Sequence, residues 1–410
     1  MSLRPDRTPV TAVTTAGVAM IGVAYGFARY GSGLFLPQLR AEFGFSVTQA
    51  GLISSATYVS YLAALVIVGV TVAHVGPRPL IVAAGLSATT GLVLVATASG
   101  LAQLVVGLVL AGASSGLAWA PYSDVVQALV PERSRERVLG VLPSGTAWGV
   151  LLAGPLALLT TGPGWRVSWW IFAATAFLVT VWNAFLLRRV TSPRQARTSG
   201  RASPRWFLPA AAAPLYLTAL SYGVTGAVYW LFAVQAVADA TRAGAATPAL
   251  LWTLIGLSGI AGAFTGNVIE RMGLRATHTV LLSVLAGAIA LLAMAPEHLV
   301  AIAVSGSLYG ATFMAISGLL AVWSYQVFPQ RPATGFSVTV FFLGIGTIVG
   351  PATLGAAAGG HGLPAALLAT AVVAALTLPF RPAVRRAPAR LGPRTSTRVP
   401  SSRHRFEIEM

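Results

Sequence analysis

The sequence predicts an all-α polytopic membrane protein, with twelve transmembrane helices in two pseudo-symmetric six-helix bundles. Three observations predict this fold: the composition, the apolar runs of membrane-spanning length, and a repeat at half the length of the chain. Of the 410 residues, 56% are hydrophobic and 9% are charged, and the mean hydropathy is +0.76. A soluble domain carries roughly 25% charged residues. We therefore expect most of this chain to lie within a lipid bilayer.

Twelve apolar runs are long enough to cross about 30 Å of hydrocarbon, which takes about 20 helical residues. The runs are continuous rather than alternating, which predicts helices and not the strands of a β-barrel. The first run follows two arginines but continues without a small-residue cleavage site, so we interpret it as a membrane helix and not as a signal peptide. The predicted spans are 11–36, 46–72, 79–98, 101–128, 138–161, 167–187, 207–237, 248–269, 276–294, 299–327, 333–358 and 361–380.

The arginines predict the orientation of the helices. All 27 basic residues are arginine, and the net charge is +17. Arg40, Arg166 and Arg242 fall in loops on one side, Arg29 lies within helix 1, and the others fall on the side of both termini. The positive-inside rule places that side in the cytoplasm. The charge thus indicates membrane topology and no nucleic-acid partner, and we expect a monomer in a bacterial cell membrane.

The chain divides at an arginine-rich segment between helices 6 and 7, which predicts a linker between the two bundles. The composition of the last thirty residues predicts a disordered tail held at the anionic inner leaflet. The predicted parts are a cytoplasmic N-terminal tail at 1–10, a first bundle at 11–187, a cytoplasmic linker at 188–206, a second bundle at 207–380 and a basic cytoplasmic tail at 381–410.

A polar loop repeats 197 positions apart, at 69–78 and at 266–275. Repeats of this kind indicate that the chain was built by duplication of one unit. Because both copies follow corresponding helices, we expect two parallel six-helix halves. The corresponding pairs are Gly69 and Gly266, Gly76 and Gly273, Arg78 and Arg275, Tyr25 and Tyr222, and, one position out of register, Gly154-Pro155 and Gly350-Pro351.

Residues 10–380 resemble the major facilitator superfamily of transporters. The repeated loops are similar to its GxLxDRxGxR motif, and Gly145, Gly149, Gly154 and Pro155 in helix 5 are similar to the glycine-proline motif of its antiporters. The resemblance implies alternating access of two halves around a midplane site lined by helices 1, 4, 7 and 10. The arginine common in helix 4 of drug-exporting members is missing, which disfavours drug-proton antiport.

The resemblance also implies that the repeated loops form a latch on the cytoplasmic side. Ala73 and His74 stand where the second copy keeps Glu270 and Arg271, so we expect the second latch to hold more tightly. Asp124, near the cytoplasmic end of helix 4, either joins the latch or carries a proton, since intramembrane acids serve in proton relays. The latch residues are Gly69, Gly76, Arg78, Asp124, Gly266, Glu270, Arg271, Gly273 and Arg275.

Arg29 is the strongest candidate for a binding residue. A charge within a membrane helix costs about 2.5 to 3.5 kcal/mol on insertion scales, so it normally faces the bundle interior or a watery cavity. A guanidinium stays charged and presents a planar fork of donors that fits a carboxylate or phosphate. The alternative is a structural arginine that binds helix-end carbonyls or extends toward the outer surface.

Aromatic residues among small residues mark one face of each helix that is expected to line the cavity. Such faces suit an organic molecule with an apolar body, although helix packing produces the same pattern. Tyr25 and Tyr222 stand out because they correspond in the repeat. The predicted substrate contacts are Arg29, Tyr25, Trp119, Tyr122, Tyr222, Tyr229, Tyr309 and Phe313.

Two glycine-proline pairs are the hinge candidates. Pro155 and Pro351 cannot donate to the helix ladder, so with Gly154 and Gly350 we expect them to bend helices 5 and 11. The bends either help the halves rock or serve packing alone.

The sequence therefore predicts a secondary transporter of a small organic solute, with Arg29 pointing to an anionic one, and with no cofactor, no catalytic residue and no metal. The alternative within this class is a proton-coupled multidrug or antibiotic efflux antiporter. A membrane-embedded enzyme is disfavoured because the sequence has no phosphate-binding loop, no metal-ligand spacing and no paired intramembrane acids. A sensor that does not transport is disfavoured because the longest loop is only the linker.

Overall fold

A computed structural model of the chain describes residues 10–160, 164–188, 190, 212–241 and 246–382. Within these ranges the chain forms twelve helical units and no strand, which we number α1 to α12 in the order of the predicted spans. The predicted N-terminal tail, linker and C-terminal tail, and Arg242, lie almost entirely outside the described residues.

The N-terminal half contains six units, and two of them are interrupted. The bounds are Val10–Ile21, Gly22–Arg29, Gly31–Leu34 and Leu36–Phe43 for α1, Val47–Val75 for α2, Pro77–Ala96 for α3, Leu101–Leu129 for α4, Glu132–Val141 and Ser144–Leu159 for α5, and Trp165–Leu186 for α6.

The C-terminal half repeats this plan. The bounds are Ala213–Ala240 for α7, Ala246–Gly259, Ile260–Phe264 and Thr265–Met272 for α8, Leu274–Met294 for α9, Leu299–Val327 for α10, Pro332–His361 for α11 and Leu363–Leu376 for α12. We call the side on which α1 begins and α12 ends the terminal side, and the opposite side the far side.

Eleven of the described helical units are long and apolar enough to cross a membrane. The twelfth, α12, is apolar but has only 14 residues, so it is shorter than the predicted span. It ends shortly before Pro379, as expected because the residue before a proline disfavours the helical conformation. The structure thus confirms an all-α polytopic membrane fold.

The repeat is visible in the backbone at Gly76 and Gly273. Each of these glycines joins two helices, α2 to α3 and α8 to α9, with φ of +80° and +79°. Only glycine adopts this conformation without steric cost, because it has no Cβ. The two halves therefore use the same residue for the same turn.

The first predicted helix, 11–36, is not one regular helix. Its middle part, Gly22–Arg29, is a wider π-helical segment, in which the backbone N–H of Tyr30 donates to the carbonyl of Tyr25 at 3.1 Å. A Cβ added at Gly26 would lie 2.6 Å from Cα of Gly149 in α5. The two backbones therefore approach closely at this level, within the segment that carries Arg29.

The predicted hinge prolines do not interrupt their helices. Pro155 lies within Ser144–Leu159 and Pro351 within Pro332–His361. The interruption in α5 instead lies between Val141, where the first segment ends, and Ser144, where the second begins. Two of the hinge residues lie where the halves touch: a Cβ at Gly154 would lie 2.9 Å from the carbonyl oxygen of Ala249 in α8, and Pro351 faces α2. Their role as hinges stays a prediction.

The two halves pack together through α2 with α11 and through α5 with α8. These contacts involve the far-side and middle parts of the helices. The hydroxyl of Ser55 in α2 donates to the carbonyl of Ile348 in α11 at 2.6 Å, and that of Thr48 donates to the carbonyl of Gly355 at 3.3 Å. A Cβ at Gly51 would meet the carbonyl of Pro351. The far side is therefore closed by direct helix packing.

Candidate functional site

Arg29 lies about halfway between the far side and the terminal side of the N-terminal half. Its side chain is 9% exposed, and Nη1 donates to the hydroxyl of Ser115 at 3.2 Å. Ser115 is the middle residue of α4, which runs from Leu101 to Leu129. The guanidinium therefore lies near the midplane of the bundle, which excludes the alternative in which it extends to the outer surface.

Four tyrosine rings surround the guanidinium. Its Cζ lies 3.8 Å from the ring centroid of Tyr61 and 4.8 Å from that of Tyr58, both in α2. The rings of Tyr25 and Tyr30 in α1 follow at 5.4 and 5.8 Å. Cation–π contacts of this kind are worth about 0.5 to 2 kcal/mol each, more when the cation is desolvated. The rings therefore replace part of the hydration that Arg29 loses.

Arg29 has no acidic partner among the residues that the structure describes. Arg166 pairs with Glu42 at 2.5 Å, whereas no described acid lies within ion-pair distance of Arg29. The Nε of Arg29 is buried and has no hydrogen-bond partner. The site thus holds an uncompensated positive charge and an unused donor, which fits a negatively charged ligand.

The C-terminal half supplies an aromatic wall opposite the N-terminal half. Tyr222 stacks on Phe313 at a centroid distance of 4.7 Å and donates its hydroxyl proton to the Phe313 carbonyl at 2.8 Å. Tyr309 stacks on Phe313 at 5.4 Å. Phe313 lies at the middle of α10. Three predicted contacts of this half, Tyr222, Tyr309 and Phe313, therefore form one cluster.

Tyr122 does not line the cavity, and that prediction was wrong. The side chain is fully buried, and its hydroxyl donates to Oδ1 of Asn183 in α6. A Cβ added at Gly17 of α1 would lie 2.6 Å from its ring. Tyr122 thus packs between α1, α4 and α6, because its ring fills the space beside Gly17 and its hydroxyl is bound by Asn183.

Tyr229 is also a packing residue. It is fully buried and stacks behind Tyr309 at 3.8 Å, and its hydroxyl lies 2.7 Å from that of Ser305. Ser305 in turn donates to the carbonyl of Ala288 in α9. Tyr229 therefore joins α7 to α10 and α9, and we correct its assignment from ligand contact to support for Tyr309.

The terminal side offers an approach to the site. Trp119 and Tyr25 are half-buried and meet edge to face at 6.5 Å. On the C-terminal half, Ser317 is exposed one helical turn beyond Phe313. Trp119 and Tyr25, on the terminal side of the site, are therefore partly exposed, in contrast to the packed far side.

A small cavity lies beside Arg29 on the boundary of the two halves. Its volume is about 10 Å³, and it is lined by Arg29, Tyr30, Ser32, Gly33, Ser54, Tyr58, Trp230 and Leu231. A cavity needs roughly 10 to 15 Å³ of this kind of space to hold one water. The halves must therefore separate before an organic solute can reach this point.

Sequence reasoning missed four residues of the site: Tyr30, Tyr58, Tyr61 and Trp230. Tyr30 stacks on Trp230 across the two halves at a centroid distance of 4.3 Å. The three-residue spacing of Tyr58 and Tyr61 does place both on one face of α2. The sequence could not show that this face turns toward Arg29, because α2 was not expected to line the cavity.

The predicted latch residues lie on the terminal side. Arg78 donates from Nε to the carbonyl of Ala184 at the end of α6, at 3.2 Å. Glu270, Arg271 and Arg275 are exposed, and in the described part of the chain they form no ion pair. Asp124 is half-buried, nine residues beyond Ser115 in α4, and hence about 14 Å along the helix axis. The latch function stays a prediction.

Comparison with known proteins agrees with this architecture. The family model described as "Uncharacterised MFS-type transporter YbfB" matches residues 21–381. Monocarboxylate transporter 11 of Homo sapiens is 32% identical over 179 residues, 43% of this chain and 37% of the relative. The putative uncharacterized transporter YgaY of Escherichia coli K12 is 28% identical over 180 residues, 41% of this chain and 44% of the relative. Each match spans less than half of the relative's length.

Solved structures show the same fold at low sequence identity. A mutant of the nucleoside transporter NupG superposes with a TM-score of 0.72 at 11% identity, covering 90% of this chain and 98% of that one. A bacterial homolog of the human lysosomal transporter Spinster, in an inward-facing and unoccupied conformation, gives 0.70 at 15% identity, covering 92% and 97%.

The match to the family model extends over most of the described helices, from the π-helical segment of α1 to the end of α12. The relatives are membrane transporters and not enzymes. With the repeated helix-joining glycines and the two six-helix halves, this shows that the chain belongs to the major facilitator superfamily, in the family described as uncharacterised MFS-type transporter YbfB.

Proposed function

We propose that this transporter moves a small organic anion across the cell membrane by alternating access, and that Arg29 binds the anionic group. The observation that carries the proposal is the surrounding of Arg29: a buried guanidinium with one serine hydroxyl, four tyrosine rings and no ion pair among the described residues.

The energetics favour an anionic ligand at this point. Removing a charge from water costs several kcal/mol even after the protein relaxes. Neutral rings and one hydroxyl offset part of this cost, whereas a carboxylate forms charge-assisted hydrogen bonds about twice as strong as neutral ones. An anion therefore gains more at Arg29 than a neutral or cationic molecule of the same shape.

The packing supports a rocking motion of the halves. Direct contacts close the far side, while Trp119 and Tyr25, on the terminal side of the site, are partly exposed. With both termini in the cytoplasm, as the arginines predict, this arrangement faces inward. The outward-facing arrangement then requires the α2–α11 and α5–α8 contacts to open.

The name of one relative is consistent with an anionic solute. Monocarboxylate transporter 11 shares 32% identity with this chain over 179 residues. The covered share is too small to transfer a substrate, but a monocarboxylate matches the charge and donor geometry of a single arginine.

The direct test is ligand binding to the purified full chain, measured by thermal shift with benzoate, benzamide and benzylamine. The three probes have similar rings and differ in charge. We expect benzoate alone to raise the melting temperature, because a ligand that binds only the folded state stabilises it. Arg29→Ala should weaken benzoate binding by about ten- to hundredfold, the value of a lost hydrogen bond to a charged group.

Arg188→Ala is the matched control, because Arg188 is exposed at the end of α6 and away from the site. Its benzoate affinity should equal that of the unmodified chain. Stabilisation by benzylamine or benzamide instead, or equal benzoate affinity with and without Arg29, would show that the site does not bind anions. Uptake of labelled benzoate into proteoliposomes then tests transport itself.

Neither the relatives nor the described geometry supports the alternative of proton-coupled drug export. Its proton carrier would be Asp124, which lies about 14 Å beyond Ser115 along α4. Transport measured with and without an imposed pH gradient tests coupling to protons.

A further inference from the structure

Trp230 carries a second unused donor beside the same cavity. Its ring is 2% exposed, and its indole Nε1 is buried without a hydrogen-bond partner. A buried indole N–H normally finds a partner, and leaving one unpaired costs about 1 to 3 kcal/mol. Trp230 and Arg29 both line the 10 Å³ cavity, and each carries a buried donor without a partner.

The rings around Arg29 restrict how a ligand can approach it. The ring of Tyr61 lies 3.8 Å from Cζ and that of Tyr58 lies 4.8 Å away, which occupies the space around the guanidinium. Nη1 is bound to Ser115, whereas Nε is free. An acceptor therefore meets the Nε edge, which is the edge that binds one oxygen of a carboxylate in a side-on pair.

The two donors come from different halves of the molecule. Arg29 belongs to α1 and Trp230 to α7, which meet closely because Gly33 has no side chain: a Cβ there would meet the carbonyl oxygen of Trp230. Any group that accepts from both donors joins the two halves directly.

We propose that Trp230 is a second binding residue of this transporter, and that its indole N–H and the Nε–H of Arg29 bind oxygens of the same carboxylate. This rests on the proposed function, since it takes an organic carboxylate as the ligand. The carboxylate then bridges the halves, and its binding favours the arrangement in which α1 and α7 are close together.

Trp252 provides a matched control for this role. It is fully buried, its Nε1 also lacks a partner, and its ring meets that of Trp230 edge to face at 5.1 Å. It does not line the cavity beside Arg29. Trp230→Phe and Trp252→Phe both keep a ring and remove one N–H, so they differ chiefly in whether the residue lines the cavity.

The test uses the full chain in nanodiscs, with benzoate as the probe and ¹⁵N-labelled indoles read by NMR. The chain has ten tryptophans, and the indole signals of Trp230 and Trp252 are identified by their loss in the two variants. We expect benzoate to shift the Trp230 signal and not the Trp252 signal. Trp230→Phe should weaken benzoate binding about tenfold, with Trp252→Phe unchanged.

Arg29→Ala in the same titration separates the two proposals. If benzoate binding depends on Arg29 but Trp230→Phe binds normally and the Trp230 signal stays in place, the role of Trp230 is wrong and the anion site stands. If Trp252→Phe weakens binding as much as Trp230→Phe and the Trp230 signal does not move, the effect is one of packing. If Arg29→Ala binds benzoate as tightly as the unmodified chain, both proposals fail.

Discussion

Tyrosine rings contact Arg29 on several sides. A substitution at position 29 therefore changes the packing against these rings as well as the charge. The rings of Tyr58 and Tyr61 lie within 5 Å of Cζ, where a planar guanidinium can lie against them. Substitutions at position 29 therefore test the shape and donor geometry of the side chain as well as its charge.

Arg29→Lys keeps the charge but removes the planar fork of donors. An ammonium cannot offer a side-on pair of N–H groups to a carboxylate. We expect the affinity for benzoate to fall about tenfold, as for one lost hydrogen bond to a charged group. Isothermal titration on the purified chain measures this. Equal affinities for arginine and lysine would show that charge alone binds the ligand.

For Tyr122 we expect a loss of stability and no loss of affinity, because its hydroxyl joins helices and does not bind ligand. It donates to Oδ1 of Asn183, whose Nδ2 donates to the carbonyl of Ala16 in α1 at 3.3 Å. Tyr122→Phe leaves a buried amide oxygen without its donor, which we expect to cost about 1 to 3 kcal/mol of stability. The melting temperature should fall while benzoate affinity is unchanged. A change in affinity without a loss of stability would return Tyr122 to the binding site.

At the scale of elements, α1 and α5 determine where Arg29 lies. The wide segment Gly22–Arg29 passes α5 at Gly149, and a Cβ at Gly26 would lie 2.6 Å from the Gly149 Cα. Backbone this close cannot be displaced as easily as a flexible side chain. The position of the guanidinium, three residues beyond Gly26, therefore depends on this crossing.

Gly26→Ala should push α1 away from α5. Overpacking of this kind costs about 1 to 3 kcal/mol, and we expect both the melting temperature and the affinity for benzoate to decrease. Gly287→Ala in α9 is the control, since no atom lies within 4 Å of its added Cβ. There we expect unchanged binding and a gain of about 0.5 to 1 kcal/mol. Normal binding by Gly26→Ala would show that the crossing does not position Arg29.

The helices themselves could be predicted from the sequence, but their irregular parts could not. Apolar runs identify membrane spans because hydrocarbon requires about 20 helical residues. The wide segment in α1 depends on contact with α5, and α12 is shorter than the run that predicted it. Pro155 and Pro351 lie inside helices that continue past them, and the bends expected there stay a prediction.

At the scale of the whole molecule, the proposed alternating access requires the far-side contacts to open and close in each transport cycle. Thr48 in α2 and Gly359 in α11 belong to different halves, and a Cβ at Gly359 would lie 3.7 Å from that of Thr48. This distance suits a disulfide, in which the Cβ atoms are about 3.5 to 4.5 Å apart. The chain has no cysteine of its own, so introduced pairs are free of competing bonds.

Thr48→Cys combined with Gly359→Cys should stop transport when oxidised, because the far side can no longer open. Reduction should restore it. Benzoate uptake into proteoliposomes, with and without reductant, measures both states. The control is Gly318→Cys with Thr265→Cys, which joins α10 and α8 within one half at a Cβ distance of 3.3 Å. Oxidised control protein should transport normally, and transport by the oxidised cross-half pair would contradict alternating access at these contacts.

The sequence by itself determined the class of the fold, the repeat and the two equivalent turns, and it made Arg29 the first candidate for ligand binding. Each depends on a local property: apolar length, glycine at a positive φ, or a charge where hydrocarbon disfavours it. Only the tertiary structure decided which side chains surround Arg29, because Tyr58, Tyr61 and Trp230 come from other helices. A helix pattern shows which residues share a face but not which neighbour that face meets. Helix packing makes that choice, and it turned Tyr122 away from the cavity and brought Trp230 to it.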